Sequence, residues 1–466
     1  MTSSTLELIS PRPYYTTQVL ASLAVAMGQL AVGLGKGYSS PALQSLAGAR
    51  EHGGLAISAQ QGSWVASLSL LGALVGGLPS GLALRLGRRR LLAAVSVPFA
   101  AAWWLAAGAG SVWELYAAAF ISGVCSSVVA VVTPVYVSEI AQPAVRGSLC
   151  SLTKVATSVG LLLSYSLGVA LDWRRLAMVA SAGPLLLLLG CCCVPETPSF
   201  LMFRGRDREA RAALQWLRGP SADISSEHDV MRANIVYIKQ EQPSCGDASP
   251  EQWRALVRPV LVTTGLMFLQ KFSGVHAFSF YGVTILDKVL ARASAQGAAA
   301  VVALLQILAG LTSSVLIDTV GRRPLLMVSS ALMSVSLAGF GTFVYVVERL
   351  EWTSAQQAPF DWVPMSCVLV CQVAFALGVG PISWLLIGEL FPLRQRGLGA
   401  LAASVSYGCA FVSVKTFVDL ERWLGLCGVF WLYAVVSLFC LAFVLVFVPE
   451  TKGRELEEME ERTRFV

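Results

Sequence analysis

The chain has 466 residues, of which 55% are hydrophobic and only 13% are charged. A soluble globule averages about 25% charged residues, so the composition excludes an ordinary water-soluble domain and points to a chain that crosses a membrane. The formal net charge is +6, but the basic residues gather in short loops between apolar runs. That pattern marks orientation in a bilayer rather than a surface for nucleic acid.

Runs of roughly 20 apolar residues span a bilayer as helices. Twelve are predicted. Six lie near 18–38, 62–83, 91–110, 113–137, 148–170 and 174–195; six more lie near 259–285, 297–317, 324–347, 364–388, 398–418 and 424–448. The expected organisation is therefore an N-terminus at 1–17, a six-helix half at 18–195, a charged loop with short helices at 196–258, a second six-helix half at 259–448 and a tail at 449–466. Residues 1–17 lack the apolar core of a signal peptide, so the first span is expected to be its own insertion signal. The 11 cysteines show no metal-ligand spacing and read as apolar filler, with no metal expected.

Arg85, Arg88, Arg89 and Arg90 follow span two, and Arg322 and Arg323 follow span eight. Arg394 and Arg396 follow span ten, and Lys452 and Arg454 follow span twelve. If the spans alternate, all these loops share one side. The positive-inside rule makes that side cytoplasmic, together with both termini and the 196–258 loop.

Three motif pairs recur in the same order. "VPETPSF" from Val194 returns as "VPETKGR" from Val448; "LGRRRLL" at 86–92 returns as "VGRRPLL" at 320–326; "SEIAQPAVRG" at 138–147 returns as "GELFPLRQRG" at 388–397. The physical reading is an all-helical polytopic membrane protein of two parallel six-helix repeats, a plan in which the halves rock about a central site. The repeated charges are Arg88, Arg89, Glu139, Arg146 and Glu196 in the first half. In the second they are Asp318, Arg322, Arg323, Glu389, Arg396 and Glu450. Two roles stand open for them: ion pairs that latch the halves shut on the cytoplasmic side, or charges that only mark the interface and fix orientation.

Together, "GRR", "PVYVSEIAQPAVRG", "PETPSF", "GRRPLL", "GVGPISWLLIGELF" and "PETKGR" resemble the sugar porter branch of the major facilitator superfamily over roughly 18–455. "GKGYSSPAL" in span one and "CAFVSVKTFVDL" in span eleven resemble the insect facilitated trehalose transporters and the class III facilitative glucose transporters. The resemblance implies the major facilitator fold and facilitated movement of a sugar. No enzyme is expected, since the three histidines, His52, His228 and His276, are far apart and no nucleophile–base pair at recognisable spacing stands out.

The resemblance also implies a ligand site on spans five, seven, eight, ten and eleven. The family's "QQLSGIN" reads "QKFSGVH" here: Gln270 is kept, Lys271 replaces the second glutamine and His276 replaces the asparagine. Trp384 in span ten is the aromatic wall. Lys154 stands at the span-five glutamine, Gln306 at the span-eight asparagine, and Ser406 and Tyr407 at the span-eleven Asn-Trp pair. The only asparagine in the chain, Asn234, lies in the loop, so amide contacts within the spans must come from glutamine. Four of the seven lysines, Lys36, Lys154, Lys271 and Lys415, lie in spans. No Asp or Glu lies deep enough to pair with Lys271, which leaves a neutral amine bonding a sugar hydroxyl or a cation bonding an anion. His276 alone reads as a packing residue; the family position adds a ligand role. Gly378, Gly380 and Pro381 weaken the helix of span ten and are expected to form a gating hinge.

Proton-driven members of the family carry an acid in span one and an arginine in span four; here those places are Ser39 and Ala119. The expectation is downhill uniport, with no ion coupling, no cofactor and, without a Gly-Lys-[Ser/Thr] loop, no nucleotide. The expected partners are a small sugar solute and the lipid bilayer, and the expected location is the plasma membrane. Two alternatives stay open: the same fold carrying an anionic or other non-sugar solute, and a nutrient sensor that binds without transport.

Overall fold

The computed structural model describes residues 15–49, 55, 57–220, 222–240, 250–390 and 396–450. Helices occupy nearly all of it. In the first half they are α1 (Thr16–Ala49), α2 (Ala59–Ala83), α3 (Arg88–Gly108), α4 (Val112–Ile140), α5 (Pro143–Gly168) and α6 (Trp173–Cys193). Three short helices follow: α7 (Pro198–Phe203), α8 (Asp207–Arg218) and α9 (Ser225–Gln240). The second half holds α10 (Pro250–Phe272), α11 (Val275–Val289), α12 (Ala295–Val320), α13 (Arg322–Arg349), α14 (Ser354–Gln357), α15 (Trp362–Leu377), α16 (Val379–Leu390) and α17 (Arg396–Phe447).

Ten stretches among the described residues are long and apolar enough to cross a membrane. The same residues make twelve spans once the breaks are considered. Span seven is split into α10 and α11. The last two spans are merged in α17, which has non-helical backbone at Gly425. Span ten is α15 plus α16. Each half buries its own apolar core, one around Tyr136, Phe99 and Leu187, the other around Phe340, Phe430 and Tyr433. Outward-facing Val97, Leu189, Val335 and Val446 are exposed, as lipid-facing positions require.

One end of the bundle carries α7, α8 and α9 and is called the loop face below. Helix α8 turns its small and apolar residues inward: Ala210, Ala213, Leu214 and Leu217 are buried. Arg218 ends it, donating to the carbonyl of Ile140 at 3.0 Å and pairing with Glu227 at 2.6 Å. Trp113, Trp362 and Trp423, all exposed, sit near the opposite end, where indoles favour the bilayer interface.

Candidate functional site

The site grows out of two interrupted spans. At Gly274 the backbone turns to φ +81°, which L-residues rarely adopt, and an added Cβ would lie 2.5 Å from the ring of Tyr433. Ser273 closes the end of α10 by donating to the carbonyl of Gln270 at 2.8 Å. The second interruption is at Gly378, with φ −129° and ψ −83°. Bilayer offers no water to freed carbonyls, and neighbouring side chains satisfy them. Ser329 donates to Ala374, Ser313 to Leu377, and Gln270 to Val379 and Gly380, at 2.7, 2.8, 2.8 and 3.1 Å. Pro381 falls in the first turn of α16, where its missing N–H costs nothing.

Gln270 therefore stitches the break of span seven to the break of span ten. Its amide nitrogen is committed to backbone, and its buried Oε1 has no hydrogen-bond partner among the described residues.

Around these breaks the side chains converge. Lys271 is 8% exposed; its Nζ lies 3.1 Å from His276 Nε2 and 5.7 Å from the centre of the Trp384 ring. An ammonium can only donate, so a charged Lys271 requires Nε2 of His276 as acceptor and the proton on Nδ1. Trp384, 40% exposed, leans toward Tyr407 at 6.4 Å, and His276 meets Phe375 edge-on at 6.2 Å.

The remaining sequence-predicted contacts divide. Ser406 is fully buried with its hydroxyl unpartnered, whereas Tyr407 faces Trp384. Adjacent helical residues point about 100° apart, so only one of the two lines this cluster. Gln306 borders a crevice of about 20 Å³ beside Gln372, Tyr165 and Ser279, room for one water. Lys154 is exposed and continues the Ser158, Leu161, Tyr165 stripe of α5 toward the loop face. Lys415 leaves the cluster: its Nζ donates to Ser63 at 2.9 Å and stands over the Trp64 ring at 4.9 Å.

Links between the halves gather at the end opposite the loop face. Ser40 accepts from the backbone N–H of Val283 at 2.9 Å, and Tyr165 donates to the carbonyl of Ser279 at 2.8 Å. Gln60 donates to Asp419 at 3.1 Å and Gln296 to Gln44 at 2.8 Å. Sequence reasoning missed this closure. Its signal was a set of polar residues at the outer ends of otherwise apolar runs. It also missed where Lys36 points. Lys36 lies one turn from Ser40 on α1, on the side that meets α11, and is exposed into the space between the halves.

The repeated charges have a definite geometry at the loop face. Glu196 accepts from the backbone N–H groups of Arg88 and Arg89 at 2.9 and 3.0 Å; Glu450 accepts from those of Arg322 and Arg323, both at 3.0 Å. Each PET-motif acid thus caps the helix opened by a GRR motif, where unsatisfied N–H groups and the helix dipole favour an anion. Gly87 and Gly321, the residues before those helices, match at φ +104° and +108°. Arg89 donates to the carbonyl of Cys191 and Arg323 to that of Leu445, both at 2.7 Å. Arg88 pairs with Glu139 at 2.8 Å. The acid–base contacts described here lie inside one half, and among the described residues Arg146 reaches the carbonyl of Ala141, at 3.5 Å. The side chains of Asp318, Glu389 and Arg396 lie outside the described residues, as do Lys452 and Arg454.

The family described as sugar (and other) transporter matches residues 21–462. The chain belongs to that family. The transporter is 37% identical over 453 residues to the facilitated trehalose transporter Tret1 of Apis mellifera ligustica, covering 96% of this chain and 88% of that one. Two solved structures share its fold at 23% identity. One is the xylose transporter XylE from E. coli in its inward open conformation, with a TM-score of 0.78, covering 95% of this chain and 98% of the other. The other is the major facilitator superfamily proton:xylose symporter XylE bound to 6-bromo-6-deoxy-D-glucose, with a TM-score of 0.73, covering 96% and 100%. The transporter thus has the major facilitator fold, with twelve spans in two six-helix repeats.

Proposed function

We propose that the protein is a uniporter that moves a sugar, trehalose or a hexose such as glucose, by alternating access across the plasma membrane. One observation carries the mechanism: the chamber between the halves is tied shut at one end by Ser40, Gln60, Tyr165 and Gln296 and lined deeper in by Trp384 and Tyr407, which are suited to a sugar's apolar ring face. The family and the facilitated trehalose transporter of the honeybee relative support the solute class.

The basic loops assign the loop face to the cytoplasm. On that assignment this is the state open to the cytoplasm, in keeping with the inward open relative. Exchange then needs the outer hydrogen bonds to break and the loop-face ends of the halves to close. Because each Glu–helix cap lies within a half, the capped helices move as parts of a body while the contacts between bodies change. Ser39 and Ala119 provide no titratable acid or partner arginine for a proton, which supports downhill movement.

Uptake of labelled trehalose and glucose into proteoliposomes tests this directly. Entry independent of a pH gradient is expected. Net entry that slows when the gradient collapses would refute uniport, and binding without entry would favour a sensor.

A further inference from the structure

We infer that the chamber takes a sugar carrying a carboxylate, with its acid group held between Lys271 and Lys36 and its ring against Trp384. The inference rests on the reading of the protein as a sugar carrier and adds a monosaccharide acid to the solutes it moves.

The first observation is a buried amine without a carboxylate partner. Lys271 is almost fully buried at membrane depth, and no carboxylate pairs with it among the described residues. Intramembrane lysines ordinarily pair with an acid or line water. Here the nearest polar partner is His276, whose ring nitrogen offers one lone pair.

The second observation is another lysine on the facing half. Lys36 comes from the opposite half and is exposed on the side of α1 that meets α11. Ammonium groups lining a low-dielectric chamber raise each other's energy, and a monoanion among them lowers it. Lys154, exposed on the α5 stripe nearer the loop face, extends the positive lining toward the opening and draws anions inward.

The rest of the lining fits a sugar. Trp384 and Tyr407 present aromatic surface, and Nδ1 of His276 is buried without a partner, free to meet a ring hydroxyl. Point-charge ammoniums suit a compact carboxylate, whereas a phosphate dianion favours arginine forks.

The test uses the full-length carrier in proteoliposomes with labelled D-glucuronate, D-glucose and trehalose, at zero potential and at an inside-positive potassium diffusion potential. Glucuronate is expected to enter, to compete with glucose, and to accumulate about tenfold for each 59 mV as a monovalent anion. Lys271→Gln and Lys36→Gln are each expected to lower the glucuronate-to-glucose uptake ratio about tenfold or more. Glucose or trehalose entering while glucuronate neither enters nor competes overturns the inference and leaves sugar uniport standing. A ratio unmoved in both assembled variants overturns it as well. If no sugar moves, the carrier reading fails and takes this inference with it. Potential dependence is read on the unaltered protein and so decides even where a variant does not assemble.

Discussion

Replacing Asp419 with alanine removes the acceptor of the Gln60 side chain, a contact of 3.1 and 3.5 Å to the two carboxylate oxygens across the outer closure. A hydrogen bond to a charged group contributes about 1.5–3 kcal/mol when buried. Both residues are half-exposed, so about 1–2 kcal/mol is the appropriate figure. That energy is present only while the outer end is shut. Its loss shifts the ratio of outward-open to cytoplasm-open carriers by a factor of about 5–30. The apparent affinity for external sugar is the intrinsic affinity scaled by the fraction competent to bind from outside. While that fraction is small, half-saturation for external sugar falls by about the same factor. Zero-trans influx into oriented vesicles measures it, with efflux half-saturation as the internal comparison. An unchanged or raised external half-saturation, with the protein correctly inserted, would show that this contact does not hold the outer end closed.

Gly274→Ala places a Cβ against the Tyr433 ring at a left-handed backbone position. The strain and overpacking together cost about 2–5 kcal/mol, read as loss of monodisperse protein or a sharp fall in Tm in detergent. Gln270→Leu removes both bonds that fasten span seven to span ten, at about 0.5–1.5 kcal/mol each, the Val379 carbonyl keeping Ser383 as a donor; Tm falls even without sugar, whereas a pure ligand role for Gln270 would alter half-saturation alone. Glu196→Gln and Glu450→Gln each weaken one helix cap, by about 1–2 kcal/mol. The caps sit in separate halves, so the double variant is expected to lose the sum, and a markedly larger Tm drop would reveal coupling across the halves. Arg218→Ala frees Glu227 and the carbonyl of Ile140; limited proteolysis is expected to cut within 207–240 sooner, and an unchanged rate would refute docking of α8 through Arg218.

The doubled motifs made the two-half plan legible, since ordered repeats constrain topology strongly. What they could not give was geometry. Glu196 and Glu450 read as possible latch charges, and their oxygens also accept from backbone N–H groups at helix starts, which side-chain identity does not announce. Gln270 read as a ligand residue, and its amide nitrogen also holds two carbonyls of span ten, because a broken helix creates local demand that only three-dimensional proximity reveals. The interruption of span ten was visible in Gly378, Gly380 and Pro381. That of span seven was not, although Ser273 and Gly274 stood in the middle of an apolar run. Ser406 and Tyr407, adjacent in sequence, were both assigned to one wall, and helical pitch allows only one of them there. Lys271 stood out at once because lysine is rare at such depth, whereas the facing of Lys36 emerged only once Ser40 fixed the rotation of α1.

The side-chain amide joining the two interruptions makes the molecule mechanically lopsided. In the half built from α1 to α6 every span is one continuous rod; in the other half, two rods are jointed, and the joints lie side by side and are fastened to each other. Bending at either joint is transmitted to its neighbour without involving the continuous rods. Strain from a solute seated at Trp384 thus has a short route into the jointed half, and the unjointed half serves as the fixed jaw against which it works.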